Sequence, residues 1–286
     1  MPTPTPSTRR RAADEYVLGT DDDEAFRLGL QHRMWSAAAH TLWERAKIQP
    51  GSVVLDLGCG PGHATVDLAQ IVGSTGHVTG IDESASFLKQ LNEEAMSRRL
   101  TNVERVLGDV QDLDNVMPGH DGAVDAAYAR WVFCFLSQPE AVVKGVRRLL
   151  KPGGRFIVQD YFNYELGMTL APRREMFSRI VRAIAHSWRA NGGDPDIMGT
   201  LPRLLQRNGF EIQHLDVNQR IARPGSTLWH WPDSFYRNFV PRLVADGLVS
   251  EAEAAAFFDE WRHASKDPGS FVLVPPVFDL IAVKTS

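Results

Sequence analysis

The chain has 286 residues, of which 43% are hydrophobic and 23% charged, and its formal net charge at pH 7 is −4. These values are typical of a soluble globular protein, and the slight acidity does not favour bulk nucleic acid as a partner. The two cysteines, Cys59 and Cys134, have no second cysteine at metal-ligand spacing, so we expect no metal site. No apolar run approaches the roughly 20 residues that span a membrane, and we therefore expect a cytoplasmic protein without a membrane partner.

The N-terminal region predicts a tail followed by a helix. Residues 1–14 are rich in proline and threonine and contain three consecutive arginines, which predicts disorder. The acidic run 21–24 predicts a helix start, because carboxylates stabilise the free N–H groups there. The helix should extend to about Lys47, and we expect residues 15–50 to form one helical segment.

From residue 51 onward, short apolar runs alternate with helical patterns. Strands are predicted at 53–57, 77–81, 103–107, 123–128 and 155–159, with helices at 63–71, 85–99 and 139–150. Strands that alternate with helices predict an α/β fold with a parallel sheet covered by helices on both faces. We expect this core to occupy residues 51–160.

The alternation becomes irregular after residue 160. The remaining predictions are helices at 171–190 and 199–208, a strand at 210–220, aromatic-rich helical sequence at 229–262, and a last strand at 271–283 that Pro275 and Pro276 interrupt. We therefore expect a helical cap insertion at 161–198. Residues 199–286 should complete the core sheet, with a second helical insertion at 229–262.

A glycine turn follows the first predicted strand. The sequence Val53-Val-Leu-Asp56-Leu-Gly58-Cys-Gly60-Pro-Gly62 passes from a buried strand into a helix. Residues without Cβ let a ligand lie against the backbone at the end of a strand. Asp82 follows twenty positions later, at the end of the second strand, where a carboxylate can accept hydrogen bonds from ribose hydroxyls. These features fit either a nicotinamide enzyme or an S-adenosylmethionine (SAM) enzyme.

The spacing of the glycines separates the two cofactors. Dinucleotide sites use Gly-x-Gly-x-x-Gly to place a pyrophosphate at the helix N-terminus. This chain has Gly-x-Gly-x-Gly preceded by Asp56. A carboxylate at that place would repel a pyrophosphate, whereas it suits the ammonium group of a methionine moiety.

Over residues 53–159 the sequence resembles the class I SAM-dependent methyltransferases. Asp56-Leu-Gly-Cys-Gly-Pro-Gly62 is similar to their first motif, and residues 149–154 are similar to the turn before their fifth strand. The resemblance implies a Rossmann-like seven-stranded, mostly parallel sheet whose seventh strand is antiparallel and inserted before the sixth. It implies SAM as cofactor and places Asp82 at the ribose, Asp109 and Val110 at adenine, and Arg130 beside methionine. Asp56, Gly58 and Gly60 belong to the first motif, and Glu83 is a further candidate for cofactor binding.

The N-terminal segment is similar to one that folds over the cofactor in many bacterial small-molecule methyltransferases. The similar residues are Tyr16, Glu24, Arg27, Leu28 and Gln31. The resemblance implies that Tyr16 and Gln31 bind the cofactor. An amphipathic helix that simply packs on the sheet explains the same pattern equally well.

Catalytic candidates lie outside these motifs. A hydroxyl acceptor needs a base, whereas a carbon or an amine needs little such help. His186 and His230 lie in the two insertions and are the candidate bases. Tyr161 follows the fifth strand beside Asp160, on the rim where open α/β sheets bind ligands. The surrounding aromatic residues could line an apolar acceptor pocket.

The favoured interpretation is methyl transfer to an oxygen, nitrogen or carbon atom of a small-molecule acceptor. The alternatives are a nicotinamide-dependent oxidoreductase, a non-catalytic SAM-binding regulator or partner subunit, and a protein or RNA methyltransferase. The glycine spacing disfavours the first of these, and no Asn-Pro-Pro-Tyr-like segment stands at 129–132 to indicate methylation of a planar amine. The sequence leaves a homodimer open.

Overall fold

The computed structural model describes residues 22–285. The predicted tail and Tyr16 lie outside this part of the chain. Helix α1 covers Asp22–Arg45 and confirms the helix predicted after the acidic run. The next elements are β1 (Val53–Leu57), α2 (His63–Val72), β2 (His77–Asp82), α3 (Ala85–Ser97), β3 (Val103–Leu107), α4 (Leu113–Val116), β4 (Val124–Arg130), α5 (Pro139–Leu149) and β5 (Leu150–Tyr161).

The second half of the chain is less regular, as its sequence predicts. Its elements are α6 (Tyr164–Gly167), β6 (Thr169–Ala171), α7 (Glu175–Ala190), α8 (Leu201–Arg207), β7 (Phe210–Asn218), β8 (Ile221–Ala222), α9 (His230–Ala245), α10 (Glu251–Lys266), β9 (Phe271–Leu273) and β10 (Val277–Lys284). The aromatic-rich stretch thus contains two helices, and Gly247 in the turn between them has a φ of 72°.

Seven strands form the central sheet in the order β3-β2-β1-β4-β5-β10-β7. The strands from β3 to β5 are parallel, and β10 is antiparallel to both β5 and β7. This confirms the predicted α/β class and the insertion of an antiparallel last strand. Because parallel strands end at one edge of the sheet, the loops after β1, β2, β3 and β4 lie together there.

Two local predictions differ from the structure. The last strand, predicted at 271–283, is two strands, because Pro275 and Pro276 have no N–H to donate and interrupt the pairing. The first of them, β9, pairs with β6 and β8 in a small second sheet that the sequence did not predict. Residues 150–154, which resemble the turn before the fifth strand, belong to β5 itself, where the register against β4 shifts and Gly153 has a φ of 74°.

The second-half helices α7, α9 and α10 pack through aromatic side chains. The rings of Trp229 and Trp261 stack at 4.4 Å with an 11° angle between their planes. The indole N–H of Trp261 donates to Asp233 Oδ1 at 2.7 Å. This packing is continuous with the core beneath the sheet, so the cap and the sheet share one apolar interior. None of the described helices combines the length and the apolar character needed to cross a membrane.

Truncation of Trp261 should destabilise the whole protein. We expect Trp261→Ala to lower the free energy of unfolding by about 3–5 kcal/mol, because it removes a buried ring together with the indole N–H that donates to Asp233. Arg262→Ala is the matched control, since its exposed side chain should change the value by less than about 0.5 kcal/mol. Urea unfolding followed by circular dichroism measures both. A loss below about 1 kcal/mol in Trp261→Ala would contradict the shared interior.

Candidate cofactor and acceptor site

A cavity opens at the carboxyl ends of β1, β2, β3 and β4, beneath α1 and the second-half helices. Its cofactor end, as we name it, is formed by Asp56, Gly58, Gly60, Asp82, Glu83, Asp109, Val110 and Arg130. Its aromatic end, named likewise, is formed by Trp131, Phe135, Tyr161, Tyr164, Trp188, Trp231 and Phe235. The structure thus brings these cofactor candidates to one place and joins them to an apolar wall.

The glycine turn between β1 and α2 forms the floor of the cofactor end. Gly58, Gly60 and Gly62 have φ values of 62°, 55° and 86°. A Cβ on Gly58 would lie 2.6 Å from Val132 Cγ2, and one on Gly62 would lie 2.2 Å from Leu91 Cδ1. A Cβ on Gly60 would meet no atom within 4 Å. Gly58 and Gly62 are therefore required for packing, whereas Gly60 leaves room for a ligand against the backbone.

Asp82 links this turn to the end of β2. Its Oδ2 accepts a hydrogen bond from the Gly60 N–H at 2.8 Å, and its Oδ1 accepts one from the Ser84 N–H at 2.9 Å. Burial raises the pKa of Asp82, and these two bonds oppose the shift. A carboxylate offers about four lone-pair positions, so both oxygens can still accept from ribose hydroxyls.

Asp56 lies at the end of β1 and is buried. Its Oδ2 accepts from the Thr65 hydroxyl at 2.6 Å. Burial raises the pKa of Asp56 to about 6, while the Thr65 bond and the charge of Arg130 oppose the rise. A ligand ammonium beside it would favour the ionised form.

The part of the cofactor end formed by Glu83, Asp109 and Val110 is more open. The side chains of Glu83 and Asp109 are exposed, whereas Val110 is buried. Asp109 Oδ1 accepts from the Gln111 N–H at 2.8 Å, which positions the short helical turn after β3. Together with Asp56 and Asp82, these residues place four carboxylates on the cavity. Such a lining fits the positively charged sulfonium and ammonium of SAM and repels a pyrophosphate.

Arg130 supplies a cation at the end of β4. Its Nη2 lies 2.9 Å from His32 Nδ1, and its guanidinium lies 5.0 Å from the centre of the Trp131 ring. Its Nη1 is buried and has no hydrogen-bond partner among residues 22–285. A buried donor of this kind costs free energy unless something accepts from it. The carboxylate of a methionine moiety would satisfy it.

The aromatic end is tightly packed and contains a strained residue. Trp131 has a φ of 54°, which is costly for a residue with a Cβ and often marks a functional site. Tyr161 stacks between Trp131, at 6.2 Å, and Trp188, at 6.0 Å. Burial raises the pKa of Tyr161 well above its usual range, so its hydroxyl stays protonated and can donate.

Gln31 connects α1 to the cap above the cavity. Its Oε1 accepts from Arg27 Nη1 at 2.8 Å and from the Trp231 indole N–H at 2.7 Å. Arg27 itself forms a buried ion pair with Glu24 at 2.6 Å. The Gln31 carbonyl oxygen is thus engaged within the protein by donors from α1 and α9.

A family model described as a methyltransferase domain matches residues 48–209, more than half of the chain. The chain belongs to the class I SAM-dependent methyltransferases. Its cofactor is therefore SAM. The carboxylates, the open Gly60 and the donor on Arg130 are the groups of this structure that fit SAM.

Curated relatives of this methyltransferase match over its core. A 2-phytyl-1,4-naphtoquinone methyltransferase from Nostoc sp. is 35% identical over 132 residues, which cover 46% of this chain and 55% of the relative. A demethylmenaquinone methyltransferase from Desulfitobacterium hafniense is 30% identical over 151 residues, which cover 51% and 58%. The chain therefore spans less than two thirds of the length of these relatives.

A solved structure extends the similarity to the whole fold. A putative methyltransferase from Bacillus halodurans superposes with a TM-score of 0.58 at 18% identity, covering 86% of this chain and 98% of the other. At this identity the likeness concerns the fold alone.

The structure does not bring the candidate base histidines to the methyltransferase cavity. His186 and His230 are both exposed, and neither lines the cavity. Each lies on the outer face of a helix whose buried face carries the neighbouring tryptophan, Trp188 or Trp231. Neither candidate base is therefore positioned at this cavity. Tyr161 does line the cavity, as expected for a rim residue.

Asp160 has a structural position instead. It is fully buried, and its two oxygens accept from the N–H groups of Tyr161, at 2.9 Å, and Cys134, at 3.2 Å. Burial raises the pKa of Asp160 to about 6, against these hydrogen bonds. It thereby holds the loop after β4 against the end of β5.

Sequence reasoning missed several residues of the site. His32 and His63 line the cavity, and their rings stack at 5.6 Å. His63 is the first residue of α2, directly after the glycine turn, and this position could have marked it. His32 had no comparable signal beyond its place next to Gln31. Burial lowers the pKa of His63 to about 4, so the ring is neutral near pH 7.

The glycine turn offers a prediction with an internal control. Gly60→Ala should fold with a loss of only about 1–2 kcal/mol from its left-handed backbone, yet weaken S-adenosylhomocysteine binding at least about tenfold because the methyl group enters the cavity. Gly62→Ala should lower stability more, since its Cβ would meet Leu91. Thermal unfolding and calorimetric titration separate the two effects. Unchanged affinity in Gly60→Ala would show that no ligand lies against this backbone.

Proposed function

We propose that this methyltransferase transfers the methyl group of SAM to an oxygen, nitrogen or carbon atom of a neutral, apolar small molecule. The observation that carries the proposal is the continuity of the cavity. Carboxylates and Arg130 line one end, and aromatic rings line the other. A cofactor in the first end would direct its methyl group toward an acceptor in the second.

In this proposal each end of the cofactor has its own residues. Asp82 and Glu83 bind the ribose hydroxyls, and Asp109 and Val110 contact adenine. Asp56 receives the ammonium group, and Arg130 receives the carboxylate. SAM supplies a methyl group already activated by its sulfonium, so the chain mainly has to align the acceptor and exclude water.

The charge at the aromatic end favours a neutral acceptor. Burial raises the pKa values of Tyr161 and Tyr164, so both remain uncharged. The Arg27 charge is compensated by its buried ion pair with Glu24. A phosphate or a free ammonium group would lose its hydration there with little in return, whereas an apolar ring with a carbonyl or hydroxyl oxygen could accept from the tyrosines. The quinone methyltransferases among the curated relatives are named for acceptors of this chemistry.

Ligand binding tests the cofactor half. We expect calorimetry to detect SAM and S-adenosylhomocysteine and to detect no binding of NAD at matched concentrations, because the four carboxylates repel a pyrophosphate. NAD binding without a SAM signal would contradict the assignment of the residues. SAM binding without turnover on any acceptor would favour the non-catalytic alternative.

A pair of variants on α7 tests the acceptor half. We expect Trp188→Ala to lower kcat/KM for the acceptor at least about tenfold, because it removes a wall of the aromatic end. His186→Ala, on the exposed face of the same helix, should leave kcat/KM within about twofold. Formation of S-adenosylhomocysteine with a panel of phenols, quinols, enols and amines measures both. Methylation of only a folded protein or an RNA duplex would contradict an enclosed acceptor pocket.

A further inference from the structure

Three hydrogen-bonded side chains form a series that leads from α2 through α1 into the cofactor end. Asp67 Oδ2 lies 3.0 Å from His32 Nε2. His32 Nδ1 lies 2.9 Å from Arg130 Nη2. The series ends at Arg130 Nη1, which is the buried donor without a hydrogen-bond partner in the described structure.

Asp67 and Arg130, at the two ends of this series, determine the protonation of His32. Arg130 can only donate, so His32 Nδ1 must accept and carries no proton. Asp67 can only accept when ionised, so His32 Nε2 carries the proton and donates. His32 is therefore the neutral tautomer with its proton on Nε2. The stacked His63 ring covers one face of it.

The surroundings keep His32 neutral. The residue is 8% exposed, and burial lowers its pKa, opposed mainly by Asp67. The nearby charges of Arg130 and His40 also lower it. Titratable and charged groups from four elements surround His32, its stacked partner His63 and the Asp67 carboxylate. Besides Asp67 and His63 themselves on α2, they are His40 and Arg33 on α1, Glu94 on α3, Arg98 after α3, and Arg130 on β4.

We propose that His32 is a positioning residue that holds Arg130 so that Nη1 meets the carboxylate of the amino-acid part of the cofactor. Asp67 anchors the imidazole from behind. This inference rests on the proposed role of Arg130 in cofactor binding and adds a residue that none of the cofactor motifs contains.

The arrangement has a consequence for pH dependence. Protonation of His32 Nδ1 removes the acceptor for Arg130 and places two cations in contact, so the Arg130 side chain must move away. Cofactor affinity is then complete above the pKa of His32 and is lost as the pH falls through it. Because burial lowers this pKa below 6.5, the loss occurs at pH values below 6.5. The pKa of Asp56 is raised to about 6, and protonation of this carboxylate also weakens binding as the pH falls. Only a comparison of variants therefore isolates the contribution of His32.

The test measures the Kd of S-adenosylhomocysteine between about pH 5 and 8 for the full chain and three variants. In His32→Gln the amide can accept from Arg130 and donate to Asp67, yet it does not titrate. At the upper end of this pH range, we expect the Kd of His32→Gln to lie within about threefold of the wild-type value. At the acidic end the wild-type protein should bind more weakly than His32→Gln, by up to about tenfold per pH unit below the pKa of His32.

The other variants are controls. His32→Ala should bind about tenfold more weakly than His32→Gln at every pH, because Arg130 loses its support in a variant that also does not titrate. His40→Gln should keep the loss of affinity at acidic pH, because His40 is half exposed and contacts Asp67 without reaching Arg130. Its charge is the smallest of the influences on the pKa of His32, so its removal should only shift the midpoint slightly toward higher pH. The probe 5′-methylthioadenosine lacks the amino-acid carboxylate, and its Kd should be the same in all four proteins.

The outcomes separate this inference from the proposed function. Identical pH profiles for the wild-type protein and His32→Gln would overturn the positioning role, as would equal sensitivity of 5′-methylthioadenosine to His32→Ala. Absence of S-adenosylhomocysteine binding by the wild-type protein at any pH would instead overturn the cofactor assignment itself.

Discussion

The hydrogen bond from the Gly60 N–H to the Asp82 carboxylate, 2.8 Å long, is the constraint on which the site depends. It joins the turn after β1 to the end of β2, and the second oxygen of Asp82 holds the start of α3 through Ser84. Because Gly60 has open space where a Cβ would lie, the same turn leaves room for a ligand. Every other group of the cofactor end is arranged around this floor, on the neighbouring parallel strands.

The cap adds enclosure to this floor. Its helices share one apolar interior with the sheet, so their aromatic side chains have defined positions above the cavity. Gln31 attaches α1 to α9 by accepting from Trp231, and this bond spans 200 residues of sequence. A methyl transfer site gains from such enclosure, because water is excluded and the reacting atoms are held in line. The strained backbone of Trp131, at the junction of the two ends, is consistent with a position that the cap and the sheet determine together.

Much of the fold could be predicted from the sequence, and less of the site. The strands from β1 to β4 follow from short apolar runs between turn signals, and the glycine turn with Asp82 marked the cofactor end. The candidate histidines were chosen for residue type and for their place in aromatic segments. His186 and His230 are exposed because the helical repeat points their neighbours Trp188 and Trp231 inward instead. The split of the last strand follows from its two prolines, but its partner strands, β6 and β8, are too short to predict.

The sequence by itself determined the α/β class and the family, because these depend on periodicity and on short motifs such as the glycine turn after β1. The tertiary structure alone decided which side chains complete the site. Arg130 meets His32 across 98 positions of sequence, and Asp67 supports His32 from a third element. Such contacts depend on how helices dock on the sheet, and no local pattern encodes docking. The same physical reason applies to the aromatic end. The sequence showed that its segments are rich in aromatic residues, but it did not show which of these residues line the cavity. Burial is a property of packed elements, and a segment acquires it only when its partners are in position.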